Sequence, residues 1–170
     1  YPDGTEWIGH TPHRAPAAYL HQLYAPLGAS GIEQLESEVS CRIPEGFRCF
    51  LKLHNGIGLF AGLINIYGLR TNWSRTKLVE AAQQPFSILV PNVQRRPINA
   101  PDDLLFVGSL GENRNLIAMN PVGTVFRWKS DDPVSNSTKS YSSVFTFLLE
   151  EADRVVALFD GDGRRRDSYN

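Results

Sequence analysis

The chain has 170 residues, 42% of them hydrophobic and 21% charged, and its 17 Lys and Arg against 18 Asp and Glu leave a formal net charge of −1. That length fits one domain, burying roughly 70% of the surface its unfolded chain exposes, and the even charge argues against a nucleic-acid binder that works by bulk electrostatics. Two cysteines, Cys41 and Cys49, make no disulfide framework and read as reduced thiols, while no apolar run approaches the ~20 residues of a membrane span.

Residues 1–15 mix proline, glycine and histidine without periodicity and read as an extended arm. After Pro16, Leu20, Leu23, Tyr24 and Leu27 follow the i, i+3, i+4, i+7 spacing of a helix that Gly28 would end. Ser30 with Glu33 three residues on has the form of a capping box opening a second helix. There Ile32, Leu35 and Val39 would face inward and Glu33, Glu36 and Glu38 water. Pro44 suits the first turn of a third helix, where its missing N–H costs little; Phe47, Phe50 and Leu51 supply its inner face, and Asn55-Gly56 closes it.

The stretch GLINIYGL (62–69) reads as a strand. Residues 70–103 are polar, with prolines at 85, 91, 97 and 101, and form a long excursion carrying one short helix near Thr76–Ala82. LLFVGSL (104–110), NLIAMN (115–120) and TVFRWK (124–129) are further strands. The last two flank NPVG, whose proline and glycine positions predict an antiparallel hairpin. A polar loop over 130–141 leads to a final helix from about Ser143 to Leu158, burying Val144, Phe147, Leu148, Ala152, Val155 and Phe159, and residues 161–170 form a frayed tail. Helices gathered before a strand meander point to one α+β domain over 16–160, a mainly antiparallel sheet with the helices packed against it.

Little in the chain carries recognisable chemistry. GIGLFAG (56–62) resembles a phosphate cradle but follows a helix and precedes a strand, the reverse of the order a dinucleotide site needs. His10 and His13 have the spacing of a metal pair without further ligands nearby, and His54 suits the free carbonyls of a helix end. DGDG (160–163) begins like a calcium loop but places Arg164 at the next ligand position. Arg164, Arg165 and Arg166 read as a solubilising end. No catalytic residue, cofactor motif or metal set is identified. Trp128 alternates into the core, whereas Trp73 lies among Arg70, Asn72 and Arg75 where no amphipathic pattern requires it, and interface anchors are enriched in Trp and Arg.

Taken in order, these elements resemble the SUKH superfamily, which includes fungal cell-wall-assembly regulators of the Smi/Knr type and many bacterial immunity proteins. The resemblance rests on IEQLESEVSCRIPEGFRCFLKLHNG, INIYGL, LLFVGSL, NLIAMNPVGTVFRWKSDD and SYSSVFTFLLEEADRV, together covering roughly residues 32–156. It implies an α+β fold without a catalytic set, and for the bacterial members a toxin as partner. The family's recurring positions map onto Pro44, Asn55, Gly56, Gly68 and Gly108, each with a backbone reason for its residue type.

The functional expectation is therefore a cytoplasmic, non-catalytic protein that neutralises a cognate polymorphic toxin, such as a nuclease, by binding it, with no cofactor and no direct contact with nucleic acid or membrane. Its contact surface is placed on Arg70, Asn72, Trp73 and Arg75 of the excursion, with Glu112, Asn113, Arg114, Asp131 and Asp132 from the sheet-side loops. The alternative is a regulatory scaffold domain of the cell-wall-assembly type. A third reading, a metal enzyme built on His10, His13 and DGDG, is separated from both by metal analysis.

Overall fold

The computed structural model describes residues 1–72, 82–111, 115–128 and 139–166. Within them lie the strands β1 (Glu6–His10), β2 (Tyr19–Leu23), β3 (Ile57–Leu59), β4 (Ile64–Ile66), β5 (Leu105–Leu110), β6 (Asn115–Met119), β7 (Val125–Trp128) and β8 (Ser140–Tyr141). They form one sheet in sequence order, and every neighbouring pair is antiparallel. Three helices accompany it, α1 (Ala29–Val39), α2 (Glu45–Leu53) and α3 (Val144–Val156). The domain is α+β.

A meander of this kind sends its connections alternately to two ends of the sheet. The links β1–β2, β3–β4, β5–β6 and β7–β8 share what is called here the hairpin end. The links β2–β3 and β4–β5 leave from the opposite, insert end, together with the tight β6–β7 turn. The first insert holds α1 and α2; the second is the excursion after Ile66. In the β6–β7 turn Gly123 donates its N–H to the Asn120 carbonyl (2.9 Å), and the Asn120 side chain accepts from Thr124 N–H (2.9 Å), as NPVG predicts.

One face of the sheet carries the main core. Leu35 of α1, Phe47, Phe50 and Leu51 of α2 and Phe147 of α3 pack with Ile64, Ile66, Val107, Ile117 and Val125. The other face buries a smaller cluster of Leu104, Phe106, Ala118 and Trp128, against which Ala100 packs. Asn92 closes this part of the excursion over the sheet by bonding both the N–H and the carbonyl of Phe106 (2.8 Å each). A five-residue π-helical turn, Val90–Gln94, carries Asn92. Such turns offset side chains by one position and commonly mark functional or strained sites; here the turn aims an amide at a strand.

Several expectations from sequence are corrected. Residues 19–23 form β2, paired with β1 on one side and β3 on the other, where a helix was expected. The stretch between Pro16 and Pro26 is too short for a stable lone helix, while two flanking strands satisfy its backbone. The arm is accordingly half strand. Helix α1 starts one residue before Ser30, with Gly28 as a cap that makes no side-chain bond, so the capping box does not form; the side-chain cap belongs to α3, where Ser143 accepts from Thr146 N–H (3.1 Å). Glu36 does not face water: its carboxylate accepts from Ile43 N–H (2.9 Å) and Arg48 Nη1 (2.7 Å), tying α1 to the start of α2. Strands β3 and β8 occupy segments read as loop. Residues 158–166 form a small hairpin in which Asp160 N–H bonds the Arg164 carbonyl (2.9 Å) and Arg166 N–H the Leu158 carbonyl (2.8 Å). The short helix expected near Thr76–Ala82 lies almost wholly outside the described residues.

Candidate functional site

Arg70 and Asn72 emerge at the insert end, just past β4. Arg70 Nη1 donates to the Pro85 carbonyl (3.2 Å), and Thr71 and Asn72 both donate backbone N–H groups to Gln84 Oε1 (2.9 Å each). Gly68 bonds Phe86 and Ile88 through its backbone (3.0 Å each), completing a clamp between the outgoing and returning limbs of the excursion. Asn55, just past α2, reinforces it by accepting from Leu69 N–H (2.7 Å) and donating to the Leu69 carbonyl (2.8 Å). The approach is so close that a Cβ on Gly68 would lie 2.3 Å from Asn55 Oδ1, which requires glycine. Gly108 is fixed in the same way, since its Cβ would meet the Asn65 carbonyl oxygen at 2.2 Å. These recurring positions report folding chemistry.

The remaining residues of the expected contact set, Trp73, Arg75, Glu112, Asn113, Arg114, Asp131 and Asp132, lie outside the described residues. Their brackets are informative. Leu110 pairs with Asn115, and Leu116 with Trp128, so segments 112–114 and 129–138 are both bracketed at the hairpin end. Arg70 and Asn72 stand at the other end of the sheet.

Beside the β7–β8 bracket lies a charged cluster that sequence inspection missed. Glu151 of α3 is only 2% exposed and receives hydrogen bonds from Arg127 of β7, from the Tyr141 hydroxyl (3.0 Å) and from Arg154 (3.0 Å). Burial disfavours its charge, but the two guanidinium groups and the phenol outweigh that penalty and hold the carboxyl below its ordinary value. Burial, followed by the adjacent carboxylate, pushes the Tyr141 hydroxyl up. Lys139 completes the corner, pairing with Glu150 (2.5 Å) and resting 5.1 Å from the Tyr141 ring centre. The signal for this cluster was a lone Arg127 in register with Val125 on the inward side of an apolar strand. Arginine at such a position calls for a buried carboxylate.

The histidines divide as well. His21 of β2 accepts the Phe60 N–H at Nδ1 (3.4 Å) and meets the Phe60 ring edge-on at 4.9 Å; burial holds its ring nitrogen below the usual histidine value. His10 Nε2 bonds the Pro16 carbonyl across the β1–β2 turn (2.9 Å). Asp160 Oδ1 accepts from the Asp162 and Arg164 N–H groups (3.0 and 2.8 Å), so the DGDG segment uses its first carboxylate to shape its own turn. Among the described residues no group of three or more His, Cys, Asp or Glu could hold a metal ion. Both cysteines carry free thiols. No helix among the described residues is long and apolar enough to cross a membrane.

A meander sheet with two helices inserted after its second strand and a third closing it defines an α+β domain whose distinctive positions serve backbone packing. Residues 26–150 match the SMI1/KNR4 family (SUKH-1), and the chain belongs to that family. Among solved structures, it is similar to a protein from Pseudomonas syringae pv. tomato at 18% identity, with a TM-score of 0.50 over 75% of this chain and 83% of that one, a likeness of fold alone. No curated protein matches the chain.

Proposed function

We propose that this domain is a cytoplasmic binding protein that neutralises a toxin by docking on it, without covalent chemistry of its own. The family match over residues 26–150 is the observation that carries this reading. The clamp supports it. Asn55, Gly68 and Gln84 tie the limbs at 68–72 and 84–88 together by hydrogen bonds, the kind of anchored base on which scaffolds carry binding loops. Arg70 and Asn72 at that base, with Trp73 and Arg75 following them, form the proposed primary contact. Glu112, Asn113, Arg114, Asp131 and Asp132 complete the proposed contact set. Stable complexes of this sort bury on the order of 1,600 Å² and depend on a few anchors within a polar rim.

Co-expression with the product of the neighbouring toxin gene tests the reading. Restored growth and co-elution on a sizing column are the expected results. Unrelieved toxicity with separate elution would sink it, and recovery of several housekeeping proteins in place of a toxin would favour the scaffold alternative.

A further inference from the structure

At the hairpin end a cleft of about 540 Å³ opens between the β1–β2 turn, the β3–β4 turn and the C-terminal hairpin. His13 and Arg14 line it from one side, Arg164 and Arg165 from another, and Leu63 and Phe159 supply apolar wall. A second cleft of about 280 Å³ shares Leu63, Gly111 and Arg165 with the first and adds Arg154. A chain of net charge −1 thus gathers four arginines along one continuous groove. Arg14 and Arg164 make no ion pair among the described residues. Arg154 already spends part of its charge on Glu151, and Asp160 beside Arg164 is turned to its own backbone.

We infer that this groove is a docking site for an acidic segment of a partner protein, an extended stretch in which carboxylates alternate with apolar side chains. The inference rests on reading the domain as one that binds proteins, and it adds where and through what chemistry. Thirteen of the chain's 17 basic residues are arginine, whose planar fork engages carboxylates bidentately. The same two clefts are lined by Leu63, Leu110 and Leu158 as well as by these forks, so cation and hydrocarbon stand together, as an acidic peptide with apolar side chains requires. It suits nucleic acid less well, because single strands rely on a run of exposed rings on which bases stack, and of the two rings here Phe159 is buried against Phe60, leaving His13 alone.

The groove's basic side chains lie outside the matched region. His13, Arg14, Arg154, Arg164 and Arg165 all fall outside residues 26–150, while the backbone floor at Ala61–Leu63 and Gly111 falls inside. The segments on either side of the matched region thus supply the positive charge of this sheet end.

The test titrates the full chain with a fluorescent peptide alternating glutamate and leucine, in parallel with the Arg14→Glu/Arg164→Glu variant. Inorganic phosphate and a single-stranded oligonucleotide serve as competitors. The expected result is peptide binding that falls with added salt, weakens about tenfold or more in the variant and resists both competitors. No binding by the unaltered chain, equal binding by both proteins, or preference for the oligonucleotide would overturn the inference. Both substituted side chains are exposed, so an unchanged thermal melt confirms that the variant folds. Run in the toxin co-expression assay, the same pair keeps the two readings apart. Equal rescue by both proteins would sink the groove and leave neutralisation standing. Peptide binding by the unaltered chain without rescue would do the reverse.

Discussion

The two ends of the sheet are built from different materials. At the insert end, Asn55, Gly68, Asn92 and Asn120 spend their side chains or their lack of one on backbone groups, and each connection is tied where it leaves the sheet. At the hairpin end the turns are held by main-chain bonds such as Ala61 N–H to the Leu20 carbonyl (2.7 Å), and the side chains facing the groove are charged or apolar. The insert end spends its amides on backbone groups; the hairpin end, beside the Glu151 network and the Asp160 turn, presents Arg14 and Arg164 exposed and without an ion pair among the described residues. A polar group satisfied by the backbone stabilises the fold, whereas an unpaired surface charge adds little stability but attracts opposite charge.

If that division is right, substitutions at the two ends should fail differently. The largest effect is expected for Asn55→Ala, which leaves the buried Leu69 backbone groups without partners and should cost about 2–4 kcal/mol in urea denaturation. A loss below about 0.5 kcal/mol would show that the clamp is ornamental. Next comes Glu151→Gln at the β7–β8 corner, which deprives Arg127 and Arg154 of their carboxylate; with both guanidinium groups partly exposed, about 1–2 kcal/mol is the expected loss near pH 7. The Glu151 carboxyl titrates lower folded than unfolded, so its contribution is present above its ordinary value of 4.5 and is lost as pH falls through the folded value. The gap between the natural chain and the variant should therefore narrow on acidification, and a constant gap would contradict the assigned network. Smallest of all, Arg14→Ala with Arg164→Ala should shift stability by less than about 0.5 kcal/mol while still weakening the acidic peptide. A large destabilisation there would erase the contrast between the ends.

Helices α2 and α3 were legible because each is a local object. Pro44, the spacing of Phe47, Phe50 and Leu51, and Ser143 before Val144 and Phe147 all act within a few residues. The NPVG hairpin was legible for the same reason. Strand β2 was not, because Leu20, Leu23, Tyr24 and Leu27 have a helical spacing, and it is pairing with β1 on one side and with β3, more than thirty residues away, on the other that selects the strand. Of the candidate contact residues, Arg70 and Asn72 fall among the described residues, and their tie to Gln84 and Pro85 is a fact of pairing that no local pattern shows. His13 and Arg166's neighbours Arg164 and Arg165 looked like solvated ends of an unstructured arm and tail.

The sequence alone determined what short-range physics controls: the three helices with their inner faces, the strands from β4 to β7, the family, and the glycines where backbones come close. Tertiary structure alone decided that the N-terminal segment adds two strands, that Glu151 is the counter-charge of Arg127, and that residues near 14 and 164 face one groove. Burial and turn preference are written in neighbouring residues, whereas charge neutralisation and groove formation depend on which distant segments the sheet brings together.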